Sequence, residues 1–375
     1  MKQKIFKPDY QNSLVSLSNS ILKHYGLPAR HQTLPELDAA LAEKNPRTVI
    51  LLVLDGMGTD MLEHNLPENS FLRSHIIKPI SSVYPPTTAA ATTSIYSGLP
   101  PLEHGWAGWQ CYFEEYGRCV ELFRNFDYYT QQPLSTPSPE QIMGFKRLNE
   151  QIAESGAAEG YGVAQPWGNF EVKSFDDICR ILEKLSRKDE KKFVLAYWKN
   201  PDGIMHKTGC YSEETKNCIT SLNAKLEALY QALEDSMLIV TADHGLLDIK
   251  DSVLLNEIKE LDDCLRLPPA VEPRTIAFYV KPGREADFER LFRERFGQDY
   301  ILLKTEDYIA EGYAGTGRIH PRFRGFMGDY VALAVGDIII QYQTPNGVEP
   351  VDFVAHHAGL SEKEMLVPLI VCEKQ

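Results

Sequence analysis

The chain has 375 residues, 43% of them hydrophobic and 24% charged, which is a globular composition long enough for two domains or for one large domain with an insertion. A formal charge of −13 and an isoelectric point near 5.3 argue against a nucleic-acid backbone or an anionic membrane as the main partner, since both select basic surfaces. Seven cysteines, odd in number and without a C-x-x-C pair, indicate neither a disulfide framework nor a thiolate zinc site.

The first ten residues lack the apolar stretch of a signal peptide, and no apolar run reaches the roughly 20 residues a bilayer demands, so a cytoplasmic location is expected. Leu14, Leu17, Ile21 and Leu22 fit one face of an early helix. Residues 48–54 form a continuous apolar run suited to a strand buried on both faces, with Asp55 at its end. Phe175, Ile178, Leu182 and Leu185 repeat at helical spacing, and an apolar strand over 193–198 precedes Pro201-Asp202. Ser212 can cap a helix running to about Asp235, and residues 237–241 are the next strand. This is the βαβ rhythm of a mostly parallel sheet.

The rhythm changes after Gly245. A strand over 275–280, a Pro282-Gly283 turn, a helix with Phe288, Leu291, Phe292 and Phe296 on one side and a strand over 300–303 read as a small α+β insertion at 249–330. Residues 1–248 and 331–375 then form the core, with sheet resuming at 330–335, 338–342 and 365–371.

Four segments place metal-binding side chains at or near the ends of apolar runs: Asp55-Gly56, Asp202-x-x-x-His206, Asp243-His244-Gly245 and His356-His357. In an open α/β sheet, ligands bind outside the carboxyl ends of the strands, so residues far apart in sequence can converge there. Each motif alone has a plainer reading as a turn, a cap or a buried polar residue. Together they hold enough carboxylates and imidazoles for two metal ions, which points to a dinuclear hydrolase.

A fifth segment, Tyr84-Pro85-Pro86-Thr87-Thr88-Ala89-Ala90-Ala91, continues through Ser97-Gly98-Leu99-Pro100 to His104-Gly105. With the four motifs above, and with the ending His357-Ala358-Gly359, it resembles the nucleotide pyrophosphatase/phosphodiesterase branch of the alkaline phosphatase superfamily, from about residue 48 onward. The resemblance implies an alkaline phosphatase-like three-layer α/β sandwich. It implies that Asp202, His206 and His357 hold one divalent metal ion and Asp55, Asp243 and His244 the other, Zn2+ fitting the donor set and Mn2+ accepting similar ligands. Thr88 would be the nucleophile because it stands ten residues before Gly98, as the family's nucleophile stands before its glycine; Thr87 remains open. The expected chemistry is hydrolysis of phosphodiester or pyrophosphate bonds in a small phosphate ester or nucleotide, through a phospho-threonine, with diesters preferred over monoesters.

One departure bears on the substrate. Nucleotide-cleaving members carry an asparagine after the His-Gly pair to hold a phosphate oxygen, whereas Trp109 stands there in this chain. Trp106, Trp109, Tyr112 and Phe113 either wall an organic group or are ordinary core aromatics. His320-Pro321-Arg322-Phe323-Arg324 could reach over the pocket to pair with phosphate. A phosphomonoesterase or phosphomutase of the same superfamily and a non-catalytic binding protein are the alternatives. The Cys/Ser-x-Pro-x-Arg pattern of sulfatases and the P-loop and dinucleotide glycine patterns are absent.

Overall fold

The computed structural model describes residues 4–163, 168–345 and 347–373. Its central sheet contains β1 (Thr48–Leu54), β2 (Ile76–Ser81), β3 (Glu159–Val163), β4 (Lys192–Trp198), β5 (Ser236–Thr241) and β6 (Leu366–Glu373), in the order β2-β6-β5-β1-β4-β3. β1 pairs in parallel with β4 and β5, and β4 in parallel with β3; β6 runs antiparallel to both β5 and β2. Every residue of β1 is buried, because helices cover both faces, and the unbroken apolar run is the consequence.

The covering helices follow their capping signals. Helix α1 (Leu14–His24) begins at Ser13, whose hydroxyl accepts from the Ser16 N–H. It packs on α2 (Thr88–Ser97), with Ser18 donating to the Ile95 carbonyl and Asn19 to that of Gly98. Helix α3 (Phe175–Ser186) has a capping box of Ser174 and Asp177. A short helix, α4 (Asp202–Thr208), follows β4, and the long α5 (Glu213–Ala232) starts at Ser212 as its sequence predicts. Among the described residues, no helix is long and apolar enough to cross a membrane.

A second, antiparallel sheet of seven strands lies beside the first. Its order is Tyr300–Lys304, Tyr330–Ala334, Thr275–Phe278, Ala270–Val271, Gln110–Phe113, Arg118–Glu121 and Phe126–Asp127. Helix α6 (Glu285–Phe296) lays Phe288, Phe292 and Phe296 against it. A division at 249 and 330 therefore takes in only part of this sheet, because three strands come from residues 110–127 and Tyr330–Ala334 straddles the boundary. Strands of two to four residues offer too few alternating positions for periodicity to reveal them.

The two sheets are tied by a buried ion pair. Arg274, just before Thr275–Phe278, donates from Nε and Nη2 to the two oxygens of Glu364 at 2.7 and 2.9 Å, and both side chains are fully buried. The same carboxylate accepts from the Gly359 N–H at 2.6 Å and the Ser361 hydroxyl at 2.7 Å. Removing one partner strands a buried charge, so Glu364→Ala is expected to lower unfolding free energy by about 3–5 kcal/mol in urea denaturation. A loss under about 1 kcal/mol would mean that the pair is not holding the sheets together.

Candidate functional site

Register brings the strand ends together: Leu54 lies opposite Trp198, and Val53 opposite Thr241. Asp55 thus leaves β1 beside Asp202, whose N–H donates to the Asp55 carbonyl at 3.0 Å, and beside Asp243 after β5. Gly56 has φ of +74°, and a Cβ there would lie 2.9 Å from the Asp202 Cβ, so glycine permits the close approach of these two turns. Its N–H donates to Asp243 Oδ1 at 3.1 Å.

The histidines are oriented from behind. His206 Nδ1 faces the Ala355 carbonyl at 2.8 Å, His244 Nδ1 that of Gly245 at 3.1 Å, and His357 Nδ1 that of Pro86 at 3.2 Å. A carbonyl only accepts, so these contacts favour hydrogen on Nδ1 and leave the Nε2 lone pair for the cluster. The turn at Ala358, with φ of +85°, and the pairing of Ala355–His356 with Leu247–Asp248 carry His357 into place.

Two donor sets result. Asp55, Asp243 and His244 offer ligand atoms all within 4.8 Å of one another, and so do Asp202, His244 and His357. The first set coincides with one of the two implied by resemblance. The second shares Asp202 and His357 with the other, but contains His244 instead of His206. His206 Nε2 nonetheless lies 3.2 Å from Asp202 Oδ1, so all six residues meet in one place. His356 lines the same cleft outside both sets.

The electrostatics call for a cation. Asp55 Oδ1, Asp202 Oδ1 and Asp243 Oδ2 are buried and have no hydrogen-bond partner. Burial, then the charges of Asp243 and Asp202, pushes the Asp55 carboxyl well above its ordinary range, and burial also raises Asp243. Burial opposes ionisation of Asp202, but His206 outweighs it and holds that carboxylate low. His206 is raised in turn because Asp202 prevails over burial. Divalent ions would neutralise the three carboxylates together, and the orphaned oxygens and inward Nε2 atoms fit them.

The two threonines are not equivalent. Thr87 caps α2, is fully buried and donates its hydroxyl to Glu272 Oε1. Thr88, the first helical residue, places Oγ1 3.2 Å from His244 Nε2 and lines a cleft of about 540 Å³. Only Thr88 of this pair has its hydroxyl at the cluster.

Trp109 lines the cleft too, its N–H donating to Glu272 Oε1 at 2.9 Å and its ring edge-on to Phe123. The other three aromatics of its segment do not line this cleft: Trp106 packs on Phe123 and Phe145, Tyr112 on Tyr279, and Phe113 on Phe326. Arg322 pairs with Glu115 and Arg324 with Glu306, and both line a separate groove. His104 is a structural residue, bonded to Ser94 and to the Trp106 N–H, and burial pushes it down to about 3.

Sequence reasoning missed two site residues. Tyr197 donates its hydroxyl to Asp55 Oδ2; a phenol in the apolar run of β4 from Phe193 to Trp198 is the available signal. Glu272, which belongs to no motif, is buried behind Thr87 and Trp109 and lines the cleft. Burial pushes its carboxyl up to about 7, although bonds from Thr87 and Trp109 work the other way.

The sequence matches the type I phosphodiesterase / nucleotide pyrophosphatase family over residues 49–334. No curated protein sequence matches it. Among solved structures, human ectonucleotide pyrophosphatase/phosphodiesterase 5 is similar at 16% identity and a TM-score of 0.63, over 86% of this chain and 87% of that one. The murine enzyme of the same name, in an inactive form complexed with AMP, is similar at 15% identity and a TM-score of 0.62 over the same shares. These likenesses show a shared α/β fold with a mostly parallel central sheet.

Glu272 gives a pH test. A carboxyl raised on folding favours the folded state least when ionised, so its contribution falls as pH rises from the unfolded value of about 4.5 through about 7. In chelator-treated protein, the melting temperature of Glu272→Gln relative to wild type should rise between pH 5 and pH 8, by the equivalent of on the order of 3 kcal/mol. An unchanged difference would mean that Glu272 does not titrate in that window.

Proposed function

The chain belongs to the type I phosphodiesterase / nucleotide pyrophosphatase family, a metal-dependent family of phosphodiester hydrolases, and from that membership we propose a two-metal enzyme that cleaves phosphodiester or pyrophosphate bonds through Thr88. The observation that carries the mechanism is the Thr88 hydroxyl, 3.2 Å from His244 Nε2, among three carboxylates with orphaned oxygens. Asp55, Asp243 and His244 would hold one metal and Asp202, His206 and His357 the other. Bound there, Zn2+, or Mn2+ with similar ligands, would supply Lewis acidity toward the threonine hydroxyl and the phosphoryl oxygens.

Thr88 would attack phosphorus in line, forming a phospho-threonine and releasing the first alcohol or phosphate. Water from the cleft would then hydrolyse that ester, and two inversions give retention at phosphorus. Thr88 stands at the N-terminus of the ten-residue α2, whose first amides lack partners within the helix and favour an anion there. Three aspartates against two divalent ions leave one positive charge, and the Thr88 alkoxide brings the site to neutrality. That balance suits a diester monoanion. Arg124 is the sole lysine or arginine among the described residues lining the cleft, which gives little to hold a monoester dianion. The AMP complex of the murine neighbour supports a nucleotide as the substrate class.

Thr88→Ala should remove turnover, by at least about a thousandfold in kcat, while metal content and melting temperature stay near wild type. Thr87→Ala should instead lose about 1 kcal/mol of stability with its bond to Glu272. Wild-type rates in Thr88→Ala would exclude it as nucleophile. With a nitrophenyl diester and monoester, kcat/KM should favour the diester; a monoester advantage would reassign the enzyme as a phosphomonoesterase.

A further inference from the structure

A polar part of the cleft wall is built by the antiparallel hairpin of the second sheet. Glu121 closes the strand Arg118–Glu121, and Arg124 and Gln131 stand in the turns that follow, all three lining the cleft. The Glu121 side chain is 3% exposed. Its Oε1 accepts from Gln131 Nε2 at 2.7 Å. Its Oε2 is buried without a hydrogen bond, although Arg124 Nη1 lies 3.2 Å away. Arg124 donates from Nη2 to Gln131 Oε1 at 3.2 Å and rests its guanidinium over the Phe126 ring, yet its side chain is 49% exposed. Glu121 Oε2 thus has an ion-pair partner but no hydrogen-bond donor, and a donor on a ligand would complete it.

The cleft also presents aromatic surfaces, with Trp109 and Tyr128 on its walls and Tyr129 and Tyr342 in edge contact, ring centres 6.0 Å apart. Such walls suit a flat ring. The polar part then sets which ring: an acceptor-only carboxylate beside a donor-only guanidinium matches an edge with N–H donors next to an acceptor. Among the common bases, guanine presents two adjacent N–H donors, N1–H and the 2-amino group, beside O6. Carboxylates accept from such pairs, and arginine pairs with O6 and N7. Adenine offers one amino group and no carbonyl.

We propose that Glu121 and Arg124 are specificity-determining residues that read the edge of a guanine base on the organic group esterified to the phosphate. The assignment rests on the hydrolase reading of the cleft, and it predicts a preference that the metal-ligand cluster alone could not produce.

Binding tests it without depending on turnover. With metal-loaded wild-type protein, calorimetric titration should give a Kd for GMP at least tenfold below those for AMP, CMP and UMP. Glu121→Gln, which presents an amide in place of the carboxylate, should erase most of that ratio. Arg124→Met, at a half-exposed side chain, should weaken GMP by about three- to tenfold while the affinities for AMP, CMP and UMP stay within about twofold of wild type. Equal affinities for the four nucleotides, or an AMP preference, would overturn the proposal, as would a GMP preference that survives both substitutions. The hydrolase reading is judged separately, by turnover of bis(nitrophenyl) phosphate, which carries no base. Turnover of that ester without a base preference sinks only the guanine assignment, whereas a GMP preference without turnover sinks only the hydrolase.

Discussion

Three aspartates forced into one buried place are the constraint on which this structure depends. β1, β4 and β5 run parallel and in register, so the residues that follow them cannot avoid one another. Gly56 lets the Asp55 and Asp202 turns touch, and the Asp55 carboxyl is lifted far above its ordinary range by burial and by its neighbours' charge. A sheet chosen for stability alone would end in apolar or capping residues at these positions. Retaining three carboxylates, each with an orphaned oxygen, is intelligible only if positive charge completes the cluster.

Much of this is legible in the chain because the relevant physics is local. A strand buried on both faces must be a continuous apolar run, as residues 48–54 are, and the first polar residue after such a run sits at the strand's end. Asp55 announces itself in that way and Asp243 stands two residues past its strand, whereas Asp202, preceded by Lys199 and Asn200, is marked instead by its spacing to His206. The second sheet is harder to read because its strands from residues 110–127 are short and owe their existence to long-range pairing: Gln110 bonds across to Val271, more than 150 positions away. Glu272 is invisible for the same reason, since its meaning comes from the Thr87 hydroxyl and the Trp109 N–H, which only the fold brings to it. The aromatic segment after His104 shows the limit from the other side. Composition marks Trp106, Trp109, Tyr112 and Phe113 equally, and only the packing separates Trp109, which lines the cleft, from Trp106 and Phe113, which are buried in the core, and from Tyr112, which lines a separate groove.

The adjacent threonines illustrate how one turn of helix divides two chemically identical side chains. The N-cap residue has extended backbone and the first helical residue does not, so their side chains leave the chain in different directions. Here the cap position turns Thr87 inward to Glu272, and the next position turns Thr88 to His244 and the cleft. Resemblance orders the two by their spacing to Gly98, whereas the structure separates them by what each hydroxyl can reach.

The site also depends on a contact that touches neither threonine nor aspartate. Glu364 receives Arg274 from the second sheet, holds the Gly359 N–H two residues beyond His357, and through its own carbonyl accepts from the N–H of Gly245, next to His244. One residue therefore links the second sheet, the His357 turn and the β5 turn. Glu121 on the cleft wall closes a strand of the second sheet, and Trp109 and Glu272 flank two others, whereas the candidate ligands Asp55, Asp202 and Asp243 follow strands of the first. Moving one sheet against the other would carry the aromatic walls and Glu121 away from Thr88. A fully buried, bidentate ion pair suits that junction because its geometry is directional, where an apolar contact would let the sheets slide.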